Sequence, residues 1–429
     1  MKFAAQIQAC IELLESQLED QQIADKALNR YFRGRRYIGS KDRAAITTEF
    51  YAVLRSRLAL EEALNHAGLT VSARLLWAVR GEMKGHDLNL IYTGERFQPA
   101  PLSEREQQAV TVAANCDWNQ FPPHIQCNTP LWLYEIFSEQ WGDQTKAQLQ
   151  ALNQEAPVDL RVNALKATRE EMLQALNELG INGVEGSHSP WAIRLNRRRA
   201  ISSLELFRQG LIEVQDEGSQ LLALMGQAQK GEKVIDFCAG AGGKTLSLAA
   251  SMENKGQILA CDVSEPRLKE LRKRCQRAGV FNVRSIALNH EHDKRLKRHA
   301  NSADLILIDA PCSGTGAWRR NPDSRFNLTR DRLLELNELQ SSILAAAAKL
   351  VKPGGRLVYA TCSVLRSENE EIINKFIQNN ELFQLSNVKY SADRAPDWSS
   401  LVSHGLLATT PLLNGTDGFF AAHLNRRRS

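Results

Sequence analysis

From about residue 231 onward, segments with strand character and segments with helix character alternate regularly along the chain. The run Leu305-Ile306-Leu307-Ile308 is uninterrupted apolar sequence, as expected for a strand covered on both faces. Ser367 with Glu370 predicts a capping box at the start of the last helix. Strands are predicted at 234–238, 257–263, 283–287, 304–309 and 355–362, and helices near 243–253, 264–278, 329–351 and 367–379. This alternation predicts an α/β domain with a doubly wound parallel sheet, which binds ligands at the carboxyl ends of its strands.

The chain has 429 residues, more than one ordinary domain, and its pattern changes twice before the sheet begins. Residues 1–125 show helical apolar periodicity without strand alternation. Residues 126–230 mix strands and helices, and Thr168 with Glu171 predicts a capping box there. We therefore predict a helical domain at 1–125, a small α+β subdomain at 126–230 and the sheet domain at 231–429.

The composition of the chain indicates the class of protein and the compartment in which it works. Hydrophobic residues make up 43% and charged residues 24%, as in globular proteins, and no apolar run approaches the ~18 residues of a membrane span. The eight cysteines are scattered and form no C-x-x-C pair, which argues against a zinc site and against a disulfide framework. Because the first residues soon run into charged helix, no secretory signal is expected. A reducing cytoplasm, no metal and no membrane partner are the expectations.

Basic residues cluster, although the net charge is only +5. The clusters lie at 30–43, 197–199, 269–277, 294–298, 319–320 and 426–428. Clusters of this kind are typical of proteins that bind a phosphate backbone, so RNA is a candidate partner. The alternative for any single cluster is a solvated helix face. Nothing in the sequence fixes the oligomeric state, and a monomer is favoured.

A glycine-rich turn, Asp236–Thr245, follows the first predicted strand of the sheet domain. It does not complete a Walker phosphate loop, because Cys238 stands where that loop needs its first glycine. It does not complete a dinucleotide fingerprint either, because Thr245 stands where that motif needs its third glycine. Asp262 ends the next strand, where an acid can bind ribose hydroxyls. Adenosine recognition without a phosphate cradle suggests S-adenosylmethionine. The alternative is a tight turn that binds no ligand.

Two cysteines follow predicted buried strands of the same sheet. Cys312 lies in Asp309–Gly316, and Cys362 lies in Tyr359–Ser363. A single cysteine in such a place is usually structural. Two thiols beside a cofactor turn suggest covalent catalysis on cytosine, in which one thiolate adds at carbon 6 and makes carbon 5 nucleophilic. The second thiol could assist product release, and the Asp309 carboxyl could bond the cytosine edge.

These motifs resemble the Sun/Fmu-type (RsmB-like) RNA cytosine-C5 methyltransferases. The resemblance covers roughly residues 126–424 and is carried by Gln215–Gln220, Asp236–Thr245, Asp309–Gly316, Arg319–Asp323, Lys352–Gly355, Tyr359–Ser363 and Asp417–Phe420. It implies a Rossmann-like class I methyltransferase domain that uses S-adenosylmethionine to methylate RNA, with small-subunit (16S) ribosomal RNA as the expected substrate. It also implies that Cys362 is the nucleophile and that Cys312 promotes product release. The implied cofactor contacts are Cys238, Ala239, Gly240, Ala241, Gly242, Gly243, Lys244, Asp262 and Asp309.

The chain departs from the family pattern at two places. Ala241 replaces a proline in the glycine turn, and Asn289 stands where the family has an acid that contacts adenine, with Asp293 as a rival candidate. The middle segment is similar to the family's small RNA-binding subdomain. Residues 1–125 resemble a NusB-like helical RNA-binding domain. Two alternatives stay open: transfer RNA as the substrate, and a non-catalytic RNA-binding or ribosome assembly factor that keeps the fold.

Overall fold

The protein is represented by a computed structural model that describes residues 1–20, 23–386, 398 and 400–428. It divides into two compact units. The first contains Met1–Gln154 with Trp318–Leu328, and the second contains Glu155–Ala317 with Thr329–Ser429. The predicted division at 125 and 230 stays a prediction, and its first boundary falls inside the first unit.

The described helices and strands follow in chain order. The α-helices are α1 Phe3–Asp20, α2 Ala24–Gly34, α3 Ser40–Leu54, α4 Arg57–His66, α5 Ala73–Met83, α6 Glu104–Ala114, α7 Pro123–Gln126, α8 Leu131–Trp141, α9 Thr145–Asn153, α10 Arg169–Glu178, α11 Glu205–Arg208, α12 Glu217–Leu224, α13 Gly243–Ser251, α14 Glu265–Ala278, α15 Ser324–Asn327, α16 Arg330–Ala348, α17 Glu370–Gln378 and α18 Pro411–Asn414. The strands are β1 Val158–Val162, β2 Gly183–Glu185, β3 Ala192–Leu195, β4 Ile212–Val214, β5 Lys233–Asp236, β6 Gln257–Asp262, β7 Val283–Ala287, β8 Ala303–Asp309, β9 Val351–Thr361, β10 Phe383–Leu385, β11 Val402–Ser403, β12 Leu406–Thr409 and β13 Phe419–Arg426.

The first unit is helical, as predicted for the start of the chain. Ile7, Ile11 and Leu14 recur at helical spacing on α1, and all three are buried in a core shared by α1 to α6. Among the described residues, no helix is both long and apolar enough to cross a membrane.

The segment Trp318–Leu328 is distant in sequence from the rest of the first unit. The Arg325 guanidinium is buried, donates to the carbonyl oxygen of Asn128 at 2.9 Å and lies 4.5 Å from the centre of the Trp318 ring. Trp318 meets the Phe137 ring edge-on, with ring centres 5.7 Å apart. Burial lowers the pKa of Arg325 to about 9.

The second unit contains a small sheet and a large one. The small sheet is antiparallel in the order β2-β3-β1-β4, and α10 begins at the predicted capping box, where Thr168 and Glu171 exchange hydrogen bonds. The large sheet has nine strands among the described residues. Its strands β7, β6, β5, β8 and β9 are adjacent and parallel, which confirms the predicted doubly wound sheet.

Two features of the large sheet differ from expectation. An antiparallel edge of β10 to β13, which was not predicted, extends it beyond β9. The predicted capping box of Ser367 and Glu370 is wrong, because α17 starts after Asn369 and has no side-chain cap. Ser367 instead belongs to a short 3-10 turn, Arg366–Glu368.

Candidate active site

The site lies where the carboxyl ends of β5, β6, β8 and β9 meet at one edge of the parallel sheet. A cavity of about 330 Å³ opens there, within the size range of small-molecule sites. Six predicted site residues line it: Cys238, Gly240, Asp262, Asp309, Cys312 and Cys362. The sequence therefore predicted residues that the fold brings together from four different strands.

The glycine turn faces the cavity through its backbone. Gly240 has a φ of 55°, and nothing lies within 4 Å of the place where a Cβ would be. Gly242 has a φ of 89°, and a Cβ there would lie 2.7 Å from the Leu271 side chain. The Asp262 carboxylate accepts hydrogen bonds from the backbone N–H of Gly240 at 2.8 Å and of Ser264 at 2.7 Å. Asp262 thus fixes the turn and still presents free lone pairs to the cavity.

The remaining residues of the turn are held by bonds to neighbouring segments. Ala239 N–H donates to the Cys261 carbonyl at 2.8 Å, and the Ala241 carbonyl accepts from Arg274 at 2.9 Å. Ala241, the departure from the family's proline, therefore sits in a turn with a side-chain anchor on its own carbonyl.

Arg161 of β1 supports the same turn from the small sheet. Its buried guanidinium donates to the Gly243 carbonyl at 2.6 Å and also bonds the side chains of Gln215 and Ser247. Burial lowers the pKa of Arg161 to about 10. Arg161 lies in the predicted RNA-binding subdomain, yet its guanidinium binds other groups of the same protein.

Charged groups inside the turn have altered pKa values. Lys244 Nζ lies 2.7 Å from Asp309 Oδ2. Burial favours neutral lysine, but the charge and hydrogen bond of Asp309, together with smaller contributions from Cys362 and Asp236, raise the lysine pKa. Burial raises the pKa of Asp236 to about 7, although Thr245 donates to it at 2.6 Å. Burial, reinforced by nearby carboxylates, raises the pKa of the Cys238 thiol, so Cys238 is a neutral side chain rather than a nucleophile.

The two thiols approach each other closely. Cys312 Sγ lies 3.4 Å from Cys362 Sγ, and neither cysteine is in a disulfide. The contact with Cys362 and burial raise the pKa of the Cys312 thiol, so Cys312 keeps its proton. A protonated Cys312 can donate a hydrogen bond to Cys362. The nucleophilic role of Cys362 stays a prediction.

Gly316 and Gly418 explain why the motifs Asp309–Gly316 and Asp417–Phe420 occur together in this sequence. Gly316 N–H donates to the Cys362 carbonyl at 3.0 Å, and Gly418 N–H donates to the Gly316 carbonyl at 2.9 Å. A Cβ on Gly316 would lie 2.0 Å from the Gly418 carbonyl oxygen. The backbones of the Cys312 loop and of the Asp417–Phe420 segment therefore touch, and only glycine fits between them.

The stretch after β7 contains a cavity residue that sequence reasoning missed. Glu291 lines the cavity, accepts a hydrogen bond from Ser342, and has a lowered pKa because of that bond. Asn289 is exposed beside it. Asp293 accepts bonds from the Asn289 N–H at 3.0 Å and from Arg295, which together lower its pKa. The signal for Glu291 was its position two residues after Asn289. That Asn289 or Asp293 meets adenine stays a prediction.

The predicted basic cluster at 30–43 is partly used within the helical unit. Arg35 pairs with Glu12 at 3.1 Å and lies 3.8 Å from the centre of the Tyr31 ring, and Arg43 donates to the Ile38 carbonyl.

Across the described residues, no group of three or more His, Cys, Asp or Glu side chains could hold a metal ion.

Solved structures with the same architecture define the class. The fold is that of Rossmann-like methyltransferases: a methyltransferase homolog protein from Pyrococcus horikoshii is 29% identical, has a TM-score of 0.61 and covers 71% of this chain and 97% of its own. The crystal structure of PH0851 covers 99% of both chains, with a TM-score of 0.76 and 26% identity.

Sequence relatives define the family within that class. A family model described as 16S rRNA methyltransferase RsmB/F matches residues 223–425, and a ferredoxin-like domain of RsmF/B-like methyltransferases matches residues 129–202. A probable ribosomal RNA small subunit methyltransferase B from Synechocystis is 35% identical over 303 residues, which span 70% of this chain and 67% of that protein. The chain belongs to the RsmB/F methyltransferase family, which confirms the resemblance seen in its motifs.

Proposed function

We propose that this protein transfers a methyl group from S-adenosylmethionine to carbon 5 of a cytosine in 16S ribosomal RNA, acting as a monomer in the cytoplasm. The observation that carries the chemistry is the 3.4 Å separation of Cys312 Sγ and Cys362 Sγ beside the cavity. The names of the sequence relatives support ribosomal RNA as the substrate.

The cavity fits an adenosine-bearing cofactor on its own chemistry. The open side of Gly240 allows close approach to the backbone, and Asp262 offers carboxylate oxygens for ribose hydroxyls. Glu291 supplies a second acceptor on the cavity wall. When bound, S-adenosylmethionine supplies the electrophilic methyl group.

The two thiols divide the covalent chemistry. Cys362 adds to carbon 6 of cytosine as a thiolate, after its proton has passed to solvent. The carbon 5–carbon 6 π bond breaks, a proton taken up at the ring nitrogen neutralises the ring, and the resulting enamine makes carbon 5 nucleophilic. After carbon 5 is methylated, its proton must leave before the carbon–sulfur bond can break. Cys312, which lies 3.4 Å from the Cys362 sulfur, gives up its own proton to solvent and accepts the carbon-5 proton as a thiolate. The electron pair left on carbon 5 re-forms the carbon 5–carbon 6 double bond and expels Cys362 as a thiolate.

Asp309 serves the pyrimidine ring. The ion pair with Lys244 holds the Asp309 carboxyl in place at the cavity wall. From there it accepts a hydrogen bond from the exocyclic amine or protonated ring nitrogen of cytosine, which makes carbon 6 more electrophilic.

Bisulfite sequencing of total RNA from cells with and without the gene tests the substrate. Loss of one protected cytosine in 16S RNA supports the proposal, and a loss in transfer RNA instead assigns the same chemistry to another substrate. The mechanism is tested with Cys312→Ala, which should trap a protein–RNA adduct that survives a denaturing gel. Adding Cys362→Ala should remove the adduct. An active Cys312→Ala enzyme without any adduct would contradict the division of roles, and wild-type protein that methylates no RNA would contradict the function.

A further inference from the structure

Two consecutive residues, Glu368 and Asn369, lie behind the pair of thiols. Both side chains are buried, with exposed fractions of 0% and 3%. They join the 3-10 turn Arg366–Glu368 to α17. A buried carboxylate and a buried amide are costly unless every bond they need is made, so their partners indicate what they are for.

Glu368 grips the chain around Cys312. Its carboxylate accepts the Ser313 backbone N–H at 2.8 Å and the Ser313 hydroxyl at 2.5 Å. Gln340 Nε2 donates to the same carboxylate at 2.9 Å and to the Pro311 carbonyl at 3.0 Å. The peptide groups on both sides of Cys312 are therefore fixed by one buried carboxylate–amide pair.

Asn369 does the same for Cys362. Its Oδ1 accepts the Thr361 hydroxyl at 2.6 Å, and its Nδ2 donates to the Ser363 carbonyl at 2.9 Å. These partners flank Cys362 in sequence. Asn369 stands at the N-cap position of α17 but does not cap it, because its side chain holds the residues around a thiol.

We infer that Glu368 and Asn369 are positioning residues that set the placement of the two thiols, Glu368 for Cys312 and Asn369 for Cys362. This inference rests on the proposed covalent function. Because each side chain holds a different thiol, the loss of each should slow a different step. Weakening Glu368 should slow release of methylated RNA, and weakening Asn369 should slow formation of the adduct.

The test compares Glu368→Gln, Asn369→Asp and a matched control, Glu217→Gln. Glu217 is also buried, with an exposed fraction of 1%, and accepts the backbone N–H groups of His188 at 2.6 Å and Ser189 at 2.9 Å. In single-turnover reactions, E368Q should form the methylated adduct at the wild-type rate and release it on the order of 10- to 100-fold more slowly. N369D should form the adduct more slowly by a similar factor, and E217Q should change neither rate.

A second measurement does not depend on RNA chemistry. Alkylation of Cys312 by iodoacetamide in the free protein, followed by mass spectrometry, should be faster in E368Q than in the wild type or E217Q, because the loop is less restrained. If Cys312→Ala traps no adduct, the covalent function fails, and the alkylation result still tests the restraint. Wild-type release together with wild-type alkylation in E368Q overturns the inference. If E368Q does not fold, Gln340→Met loosens the same loop from its other side and should show the same two changes.

Discussion

The glycine turn and the two thiol loops lie at the same edge of the sheet, but different bonds hold them. The turn is held by side chains from separate segments: Asp262 accepts from Gly240 across 22 positions, and Arg161 donates to the Gly243 carbonyl across 82. The thiol loops are held by two consecutive residues, since Glu368 bonds Ser313 across 55 positions and Asn369 bonds Thr361 across 8. Several separated side chains therefore hold the cofactor turn, whereas one short segment holds the loops of both thiols.

We therefore expect substitutions on the cofactor side of the site to weaken cofactor binding, and substitutions in the thiol loops to slow the reaction itself. The largest effect is expected at Cys362. Cys362→Ala should lower methyl transfer on the order of 10³-fold or more, because the nucleophile is lost. Cofactor affinity should stay unchanged, as measured by calorimetry alongside a methylation assay.

Cys261→Ala is the matched control for that experiment. Cys261 is a buried thiol on β6 of the same sheet, and burial raises its pKa to about 12. It should keep activity and lose only modest stability, about 1 kcal/mol as for a typical substitution. Substantial turnover by Cys362→Ala would place the nucleophile elsewhere and erase the contrast between the two sides.

An intermediate effect is expected on the cofactor side. Asp262→Ala should weaken S-adenosylmethionine binding by about 1.5–3 kcal/mol, the range for hydrogen bonds to a charged group. Asp293→Asn provides the control, because Asp293 also accepts backbone N–H bonds, at the start of the 3-10 turn Lys294–His299. Calorimetry should show near-normal affinity for Asp293→Asn; the reverse order would make Asp293 the cofactor ligand.

The smallest effect concerns Asp236 and pH. Its pKa is about 7 in the fold and 3.8 in the reference state, so the folded protein binds a proton that the unfolded chain has released between those values. Stability from this group therefore falls as pH rises from about 4 to 7. Asp236→Asn stays neutral and should raise the melting temperature at pH 8 by at least ~2 °C, with a smaller gain at pH 4. Equal gains at both pH values would remove Asp236 as the cause.

The parallel half of the fold could be predicted because its signals are local. The apolar strand at Leu305–Ile308 and the helix periods on either side need no knowledge of distant partners. The antiparallel edge was missed because β13 is buried along most of its length and shows no alternation of apolar and polar residues. The capping box at Ser367 was wrong because the chain turns two residues later, at Asn369, whose side chain is committed to Thr361 and Ser363.

The candidate site shows the same difference between residues with a local sequence signal and residues whose partners are distant in sequence. Cys312, Cys362, Asp262 and the glycine turn could be predicted, because residues at the ends of parallel strands meet at one edge. Glu368 could not, since its function depends on bonds to Ser313 and Gln340, which are far away in sequence.

The placement of Trp318–Leu328 has a consequence for shortening the protein. This segment begins a few residues after Cys312 in sequence but belongs to the helical unit. Trp318 and Arg325 are buried there. A fragment that starts at residue 155 would carry an exposed indole ring and a guanidinium without its Asn128 partner on the strand-to-helix connection that follows Cys312. The helical unit cannot be removed by a single cut, and any shortened enzyme will need a redesigned bridge in place of those eleven residues.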